Sequence, residues 1–441
     1  MKVIILTAST GGGHKRAAAA LKEIIFEKDS NAEVLVVDAL EEISHIFNKT
    51  ISDGYHYMAT KTPKLYGKAY RSSDKDNALN DMINRINAQS GKRLLPLINE
   101  FAPDIIVTCH PFVAKMMGVL KGKGKITVPV LSIITDFSAH RTYIDSHIDA
   151  YVVSNDDMIS ELSDKYGVLK DKIYSLGIPV FSSFYFKDKK EDLIEELGFD
   201  KNIKTILIMA GSFGVTDVLK IYENLLDLKT QFQIIVITGK NKRLYNAFEK
   251  MLNDKIDEFE IEELSYFEKL PSDSKRRKAY ELTGQIKGQI KESIDEMPIV
   301  KHFKRSTHAK KPTKLLYFID NVQDYMHISD LIITKPGGLT VSESLASSLP
   351  LAIFNAFPGQ EEDNADFVVR HNMAISLQKG KQGAQQIDEL LTNEEKLSQM
   401  RENCRKMCKD KSSENIYNLM TKLIESNGIS DLSDADKEKV N

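Results

Sequence analysis

The sequence predicts an α/β protein made of two Rossmann-like halves, each a parallel sheet covered by helices. Short, β-branched apolar runs alternate with longer amphipathic stretches along most of the chain, as in βαβ units. This alternation pauses near residues 177–192 and restarts at Thr205. A chain of 441 residues also exceeds what one hydrophobic core usually serves. We therefore predict two domains.

The predicted strands fall into two series. The first series is Val3–Leu6, Val34–Val37, Ile105–Val107, Val130–Ile134 and Tyr151–Val153, and the second is Thr205–Met209, Phe232–Ile237, Leu315–Ile319, Leu331–Thr334 and Leu351–Phe354. We place an N-terminal domain at 1–180 and a C-terminal domain at 181–426. A charged segment without sustained apolar periodicity predicts an insertion at 253–312, and residues 427–441 form a polar tail.

Composition excludes several classes of protein. The net charge of −3 argues against a general nucleic-acid binder, which is normally basic over a whole domain. Three cysteines without ligand spacing predict neither a metal site nor a disulfide framework. The first apolar run is too short for a signal peptide, and no later run reaches the length of a spanning helix. We expect a cytoplasmic protein whose membrane contact is peripheral.

Ligands of doubly wound sheets collect where strands end, so the strand-to-helix loops are the places to search. The loop after the first strand carries three glycines followed by His14, and it matches neither the Walker motif nor the dinucleotide fingerprint. The positive end of the following helix favours a neutral, proton-accepting His14. His14 is therefore a candidate general base; the alternative is a histidine that merely caps or packs beside the loop.

Two further loops of the first half predict the lining of an acceptor cleft. They follow apolar runs that end at Thr108 and Thr135, and Asp136 is the helper of, or the alternative to, His14 as base. No spacing of a metal-ligand motif occurs, so no metal is predicted. The acceptor-side residues are Gly12, Gly13, His110, Phe112, Phe137 and His140.

The second half carries the predicted donor-binding loops. After Thr334, a proline and two glycines turn the chain into a helix whose exposed amides suit a diphosphate, and Glu343 stands one turn further to accept from ribose hydroxyls. The alternative for Glu343 is an acidic residue that stabilises a helix start. The donor-binding residues are Gly211, Ser212, Phe213, Gly214, Lys335, Gly337, Gly338, Leu339, Thr340, Glu343, Gln360, Glu361 and Asn364.

Taken together, these loops resemble the processive diacylglycerol glycosyltransferases and monogalactosyldiacylglycerol synthases, which are related to the MurG-type transferases of family 28. The matching pieces are residues 11–14, 108–112, 135–137, 177–179, 335–343, 358–361 and Asn364. The resemblance implies a GT-B fold and inverting transfer of glucose or galactose from a UDP-sugar to diacylglycerol. It assigns the Gly337–Gly338 loop to the diphosphate, Glu343 to ribose, Gln360 and Glu361 to the hexose, and His14 to the acceptor hydroxyl.

The resemblance also implies no cofactor, because UDP-hexose is a substrate and no metal is strictly required. Rival predictions are a MurG-like transferase acting on a polyprenyl-linked acceptor, a non-catalytic UDP-sugar-binding protein and, more distantly, a sugar-nucleotide epimerase. No obligatory protein partner is predicted.

A basic, aromatic segment predicts contact with an anionic membrane surface on the inner face of the cell membrane. Residues 49–125 contain thirteen Lys and Arg and six Asp and Glu, a local net charge of +7. Within this segment, Tyr55, Tyr57, Tyr66 and Tyr70 lie among lysines and an arginine. Such a face suits anionic lipid headgroups; the alternative is an ordinary solvated surface.

Overall fold

A computed structural model describes residues 1–8, 12–43, 62–75, 89–185, 190–209, 215–252 and 311–430. The predicted donor loop 211–214, almost all of the predicted insertion, and Tyr55 and Tyr57 lie outside the described residues.

The N-terminal half contains a six-stranded parallel sheet with the order β2-β1-β3-β4-β5-β6. Its strands are β1 (Lys2–Thr7), β2 (Glu33–Asp38), β3 (Ile105–Thr108), β4 (Val130–Ile133), β5 (Ala150–Val153) and β6 (Ile173–Ser175). The helices of this half are α1 (Gly12–Lys28), α2 (Ala39–Ile43), α3 (Pro63–Ser73), α4 (Leu95–Phe101), α5 (Pro111–Gly122) and α6 (Asp157–Ser160).

The C-terminal half repeats this arrangement with the order β12-β11-β10-β7-β8-β9, again parallel throughout. Its strands are β7 (Lys204–Met209), β8 (Phe232–Ile237), β9 (Thr313–Leu316), β10 (Leu331–Thr334), β11 (Leu351–Ile353) and β12 (Ala374–Ser376). The helices that follow α6 are α7 (Lys190–Glu196), α8 (Val215–Leu226), α9 (Lys242–Leu252), α10 (Val322–Ile328), α11 (Gly338–Ala346), α12 (Gln360–Arg370), α13 (Lys381–Thr392), α14 (Glu394–Met407) and α15 (Ser412–Ser430).

The prediction of two Rossmann-like halves is confirmed. The central strands are apolar and buried on both faces, as in other parallel sheets between helix layers; β3 and β10, for example, are buried at every residue. The sequence analysis missed β6 and β12, which are edge strands of three residues each. Such short strands carry too little apolar pattern to be recognised in a sequence.

Strand order brings the predicted loops to the two switch points of the fold. In the N-terminal sheet, β1 continues to β2 on one side and lies beside β3 on the other. In the C-terminal sheet, β7 lies between β8 and β10 in the same way. Crevices open where neighbouring crossovers leave in opposite directions, at the carboxyl ends of the strands. The loops after β1, β3, β7 and β10 therefore border these crevices.

The last described helix crosses back to the first half. Ile416, Leu419 and Met420 of α15 are buried in the same cluster as Ala18 and Leu21 of α1. The sequence analysis assigned 412–426 to the C-terminal domain, because an amphipathic helix does not indicate which sheet its apolar face covers. α15 also continues to Ser430, past the predicted start of the polar tail.

Within the described ranges, no helix combines the length and the apolarity that crossing a membrane requires.

Candidate active site between the two halves

The two crevices face each other, and the helices that start there pack together. A Cβ added to Gly13, near the start of α1, would lie 3.6 Å from the Cβ of Leu339 at the start of α11. A Cβ on Gly338 would lie 3.0 Å from the carbonyl carbon of Thr135 and closer still to the oxygen. Gly338 therefore lets the second half approach the β4 loop of the first. A Cβ on Gly337, in contrast, would meet no described atom within 4 Å.

His14 lies in the first turn of α1, two residues after Gly12. Its Nδ1 is 2.9 Å from Thr135 Oγ1, and its ring meets that of His110 edge-on with the centroids 4.7 Å apart. Burial lowers the pKa of His14 to about 4, although the Cys109 carbonyl opposes this shift. Burial thus favours the neutral imidazole at this position.

The other predicted acceptor-side residues occupy different environments. His110 is buried, and its desolvation together with the neighbouring His14 holds its pKa well below the usual range. Phe112 packs against this ring at a centroid distance of 5.3 Å. His140 is fixed through both ring nitrogens, by Thr142 Oγ1 at 2.8 Å and the Tyr70 carbonyl at 3.0 Å. In this structure His140 thus anchors α3 through the Tyr70 carbonyl.

A polar chain of contacts connects the two candidate bases. Thr135 Oγ1 lies 3.2 Å from the hydroxyl of Tyr143, which in turn hydrogen-bonds the Asp136 carboxylate. Burial raises the pKa of Asp136 to about 6, even though the hydrogen bond from Asn364 lowers it. Tyr143 carries no recognisable signal in the sequence, because its hydroxyl reaches this site only through the turn that precedes β5.

Asn364 fastens the two halves together. It is completely buried on α12, and its Oδ1 accepts from the Phe137 amide at 2.7 Å. Its Nδ2 donates to Asp136 Oδ1 at 3.1 Å and to the Pro336 carbonyl at 3.0 Å. The predicted donor-binding residue is therefore a bridge between the halves in this structure, with its amide engaged by protein. Phe137 adds an apolar contact, its ring 5.1 Å from that of Phe367.

Glu343 is also engaged from the opposite half. Its carboxylate is 2.8 Å from the guanidinium of Arg16, and only 4% of its side chain is exposed. Burial raises the pKa of Glu343 to about 7 despite the attraction of Arg16. The alternative of an acidic residue that only stabilises a helix start does not fit a buried carboxylate with an arginine partner. Arg16 was missed because it lies on a helix 327 positions earlier in the chain.

The remaining donor-side residues surround the turn before α12. Lys335 lies over the Phe357 ring, 4.0 Å from its centroid, and lowers the pKa of Glu361, which burial raises more strongly. Glu361 accepts from the Phe357 amide at 2.9 Å. Gln360, the first residue of α12, accepts from the Tyr66 hydroxyl at 2.6 Å. Thr340 is half-buried on the first turn of α11.

The predicted membrane face needs a correction. Tyr66 and Tyr70 point inward, where Tyr66 is 9% exposed and Tyr70 stacks on His140 at 4.2 Å between ring centroids. Tyr66 and Tyr70 are four residues apart, so both rings lie on one face of the helix, and the lysines lie on another. The outward face of α3 carries Lys64, Leu65, Lys68 and Arg71.

Two family models match the chain. Residues 14–180 match the monogalactosyldiacylglycerol (MGDG) synthase model, and residues 268–418 match the glycosyltransferase family 28 C-terminal domain. The first match lies in the N-terminal half, and the second covers the part of the C-terminal half that contains β9 to β12.

Curated relatives agree with these matches along the chain. A processive diacylglycerol beta-glucosyltransferase of Bacillus cereus is 28% identical over 405 residues, which is 91% of this chain and 88% of the relative. A protein of the same name from Bacillus pumilus is 27% identical over 418 residues, covering 94% of this chain and 93% of its own length.

Solved structures share the fold. MurG of Acinetobacter baumannii superposes with a TM-score of 0.55 at 15% identity and covers 96% of this chain and 99% of its own. The S. aureus MnaA–UDP co-structure gives a TM-score of 0.53 at 15% identity, with 95% of each chain covered. The fold is GT-B, and the chain matches the MGDG synthase model in its first half and the glycosyltransferase family 28 C-terminal domain in its second.

Proposed function

We propose that the protein transfers a hexose, glucose or galactose, from a UDP-sugar to the hydroxyl of 1,2-diacylglycerol with inversion at the anomeric carbon. The observation that carries this proposal is the convergence of His14 and Asp136 on the amino end of α11 across the cleft. The acceptor class is supported by the names of the Bacillus relatives, diacylglycerol beta-glucosyltransferases that align along nine-tenths of the chain.

The donor diphosphate is proposed to bind at the turn before α11. The first amides of a helix have no intrahelical acceptor, and the helix dipole makes this end positive. No described atom lies within 4 Å of a Cβ added to Gly337, and Lys335 precedes this turn. The acceptor oxygen forms a bond to the anomeric carbon as the bond from that carbon to the diphosphate breaks. Negative charge then develops on the departing UDP, where these groups stabilise it. Because these groups stabilise the charge, the proposed reaction requires no metal ion. Glu343 is assigned separately to the hydroxyls of the ribose.

His14 is proposed as the base that deprotonates the acceptor hydroxyl. In the structure its pKa is about 4, whereas that of Asp136 is about 6, closer to the value that suits a base at neutral pH. A bound diphosphate adds negative charge to the cleft and raises both values. This shift improves His14 as a base and favours protonation of Asp136. We therefore assign proton abstraction to His14 and hydrogen-bonding support to Asp136.

Mass spectrometry of lipids after incubation of the purified protein with diacylglycerol and either UDP-glucose or UDP-galactose tests the reaction. We expect a glycosyldiacylglycerol with one of the two donors. Product only from a polyprenyl-linked acceptor would assign the MurG-like reaction instead. UDP-sugar binding without any lipid product would support a non-catalytic protein, and conversion of UDP-N-acetylglucosamine without lipid would indicate an epimerase.

The role of His14 has its own test. His14→Ala is expected to lower kcat on the order of a hundredfold while the Kd for UDP changes little, because proton abstraction is lost and donor contacts remain. His147→Ala, at a histidine whose side chain is 52% exposed, is the matched control. Unchanged turnover of His14→Ala would remove His14 from this role.

We further propose that the protein binds the inner face of the cell membrane peripherally through the outward face of α3. Lys64, Leu65, Lys68 and Arg71 recur on one side of this helix and are exposed, Leu65 at 58%. An exposed leucine among cations suits an anionic interface, where each cation near the surface contributes about 1 kcal/mol.

Co-sedimentation with phosphatidylglycerol vesicles tests this surface. Combined Lys64→Glu and Lys68→Glu should reduce binding at least tenfold, because two attractive charges become repulsive. The control combines Lys220→Glu and Lys229→Glu, two exposed lysines of the other half. Equal binding by both variants, or binding that ignores salt and anionic lipid, would contradict the electrostatic docking.

A further inference from the structure

One hydrogen bond joins the acceptor half to a predicted sugar-recognition residue. The hydroxyl of Tyr66, on α3, donates to Oε1 of Gln360 at 2.6 Å. The Tyr66 side chain is buried, whereas Gln360 remains partly accessible at the first position of α12. The contact spans 294 residues of sequence, so it forms only when the two halves are together.

The surrounding contact is too close for larger residues. A Cβ on Gly67 would lie 2.6 Å from the Cβ of Pro358. A Cβ on Gly359 would lie 3.1 Å from the ring of Tyr70 and 3.3 Å from that of Tyr66, and Gly359 has a φ of +107°, which favours glycine. Glycines on both sides of this contact allow α3 to lie directly on the turn that presents Gln360.

The far end of α3 is tied to its own half. Asp74 follows the helix and accepts from the Arg141 amide at 2.9 Å, from Lys165 Nζ at 2.7 Å and from the Tyr166 hydroxyl at 2.7 Å. A solvent-exposed ion pair of 2.9 Å links Arg71 to Glu362 of the other half. The helix is therefore anchored in the acceptor half while its inner face touches the donor-side turn.

We propose that Tyr66 is a positioning residue for donor-sugar recognition, acting through the carboxamide of Gln360. The two ends of a carboxamide differ, since one accepts and the other donates hydrogen bonds. A hydrogen bond to Oε1 fixes which end faces α3 and thereby the orientation that a bound hexose meets. Glucose and galactose differ in the direction of one hydroxyl, so a fixed amide distinguishes them and a rotating amide does not. This inference rests on the proposed function, in which Gln360 contacts the hexose.

The test compares the affinity for UDP-hexose with the affinity for UDP, which lacks the sugar. Tyr66→Phe keeps the ring and removes only the hydroxyl. We expect its Kd for the preferred UDP-hexose to rise about fivefold, the effect of one hydrogen bond, and its Kd for UDP to change less than twofold. Its preference between UDP-glucose and UDP-galactose should also fall. Tyr222→Phe is the control, because that hydroxyl bonds Thr313 at 2.9 Å inside the second half.

A double-mutant cycle separates positioning from a structural effect. In a Gln360→Ala background, Tyr66→Phe should leave the UDP-hexose affinity unchanged. Equal weakening of UDP and UDP-hexose, or the same loss in the Gln360→Ala background, would overturn the positioning role, as would no effect at all. If the wild-type protein bound neither UDP nor UDP-hexose, both this inference and the proposed donor site would fail. Glycolipid synthesis with an unaffected Tyr66→Phe variant would overturn this inference alone.

Discussion

Gly338→Ala tests whether the close packing of the two halves requires a residue without a Cβ at this position. The added Cβ would lie 3.0 Å from the carbonyl carbon of Thr135, 3.3 Å from Asp136 Cα and nearer still to the Thr135 oxygen. These are backbone atoms, so no side chain can rotate away. The halves must separate by about 1 Å to restore ordinary van der Waals distances.

The structure allows the size of the effect to be worked out. A separation of about 1 Å lengthens the hydrogen bond from the Phe137 amide to Asn364, now 2.7 Å, and that from Asn364 to Asp136, now 3.1 Å, beyond bonding range. Losing two buried hydrogen bonds and leaving their groups without partners costs about 3 kcal/mol. The closed arrangement then becomes more than a hundredfold less favourable relative to open forms.

Hydrogen exchange at the Phe137 amide measures the loss of its hydrogen bond to Asn364. Small-angle X-ray scattering measures the change in the radius of gyration of the protein. We expect Gly338→Ala to expose this amide to exchange, enlarge the radius of gyration and lower turnover. Gly337→Ala is the matched control at the adjacent position, since its φ of −67° suits alanine and no described atom lies within 4 Å of the added Cβ. Protection of Phe137 in Gly338→Ala equal to that in Gly337→Ala would refute the reasoning.

Three other predictions address ionisation and packing. The pKa of Asp136 rises from 3.8 to about 6 on folding, so the folded state holds more protons between these values and unfolding free energy falls as pH rises through that window. Denaturant titrations at pH 4 and 7 measure the free energy of unfolding of Asp136→Asn and of the wild type. From pH 4 to pH 7 the variant should gain about 2 to 3 kcal/mol relative to the wild type. An equal pH dependence of the two proteins would contradict this. Arg16→Ala leaves the buried carboxylate of Glu343 without its cation and should lower the free energy of unfolding by about 2 kcal/mol. Adding Glu343→Gln removes the unpaired charge and should recover part of this loss. No recovery would show that the charge is not the cause. Met420→Ala should lower the free energy of unfolding by about 2 to 4 kcal/mol, because Met420 is completely buried. Lys422→Ala should change it very little, because Lys422 is exposed. Equal shifts of the melting temperature in the two variants would contradict the packing of α15 in the N-terminal core.

Local patterns in the sequence predict much of the fold and many residues of the site. β-Branched runs identify ten of the strands, because strands buried on both faces require continuous apolar sequence. Glycines after β1 and β10 indicate loops that other atoms must approach closely, and at Gly338 the backbone of Thr135 makes such an approach. Neither inference needs knowledge of distant residues, since each depends on the conformation of a short segment.

Only the tertiary structure decides which residues from distant segments meet. The residues around Asn364 in the sequence do not predict its hydrogen bond to Asp136. Likewise, the residues around Glu343 do not predict its ion pair with Arg16. The inward direction of Tyr66 likewise depends on a partner 294 residues away. Sequence patterns thus determined the two sheets and the strand ends at which ligands are expected to bind. How the halves pack determined the ionisation of the buried groups and the partners of their hydrogen bonds, because desolvation and contact depend on atoms that are close in space rather than along the chain.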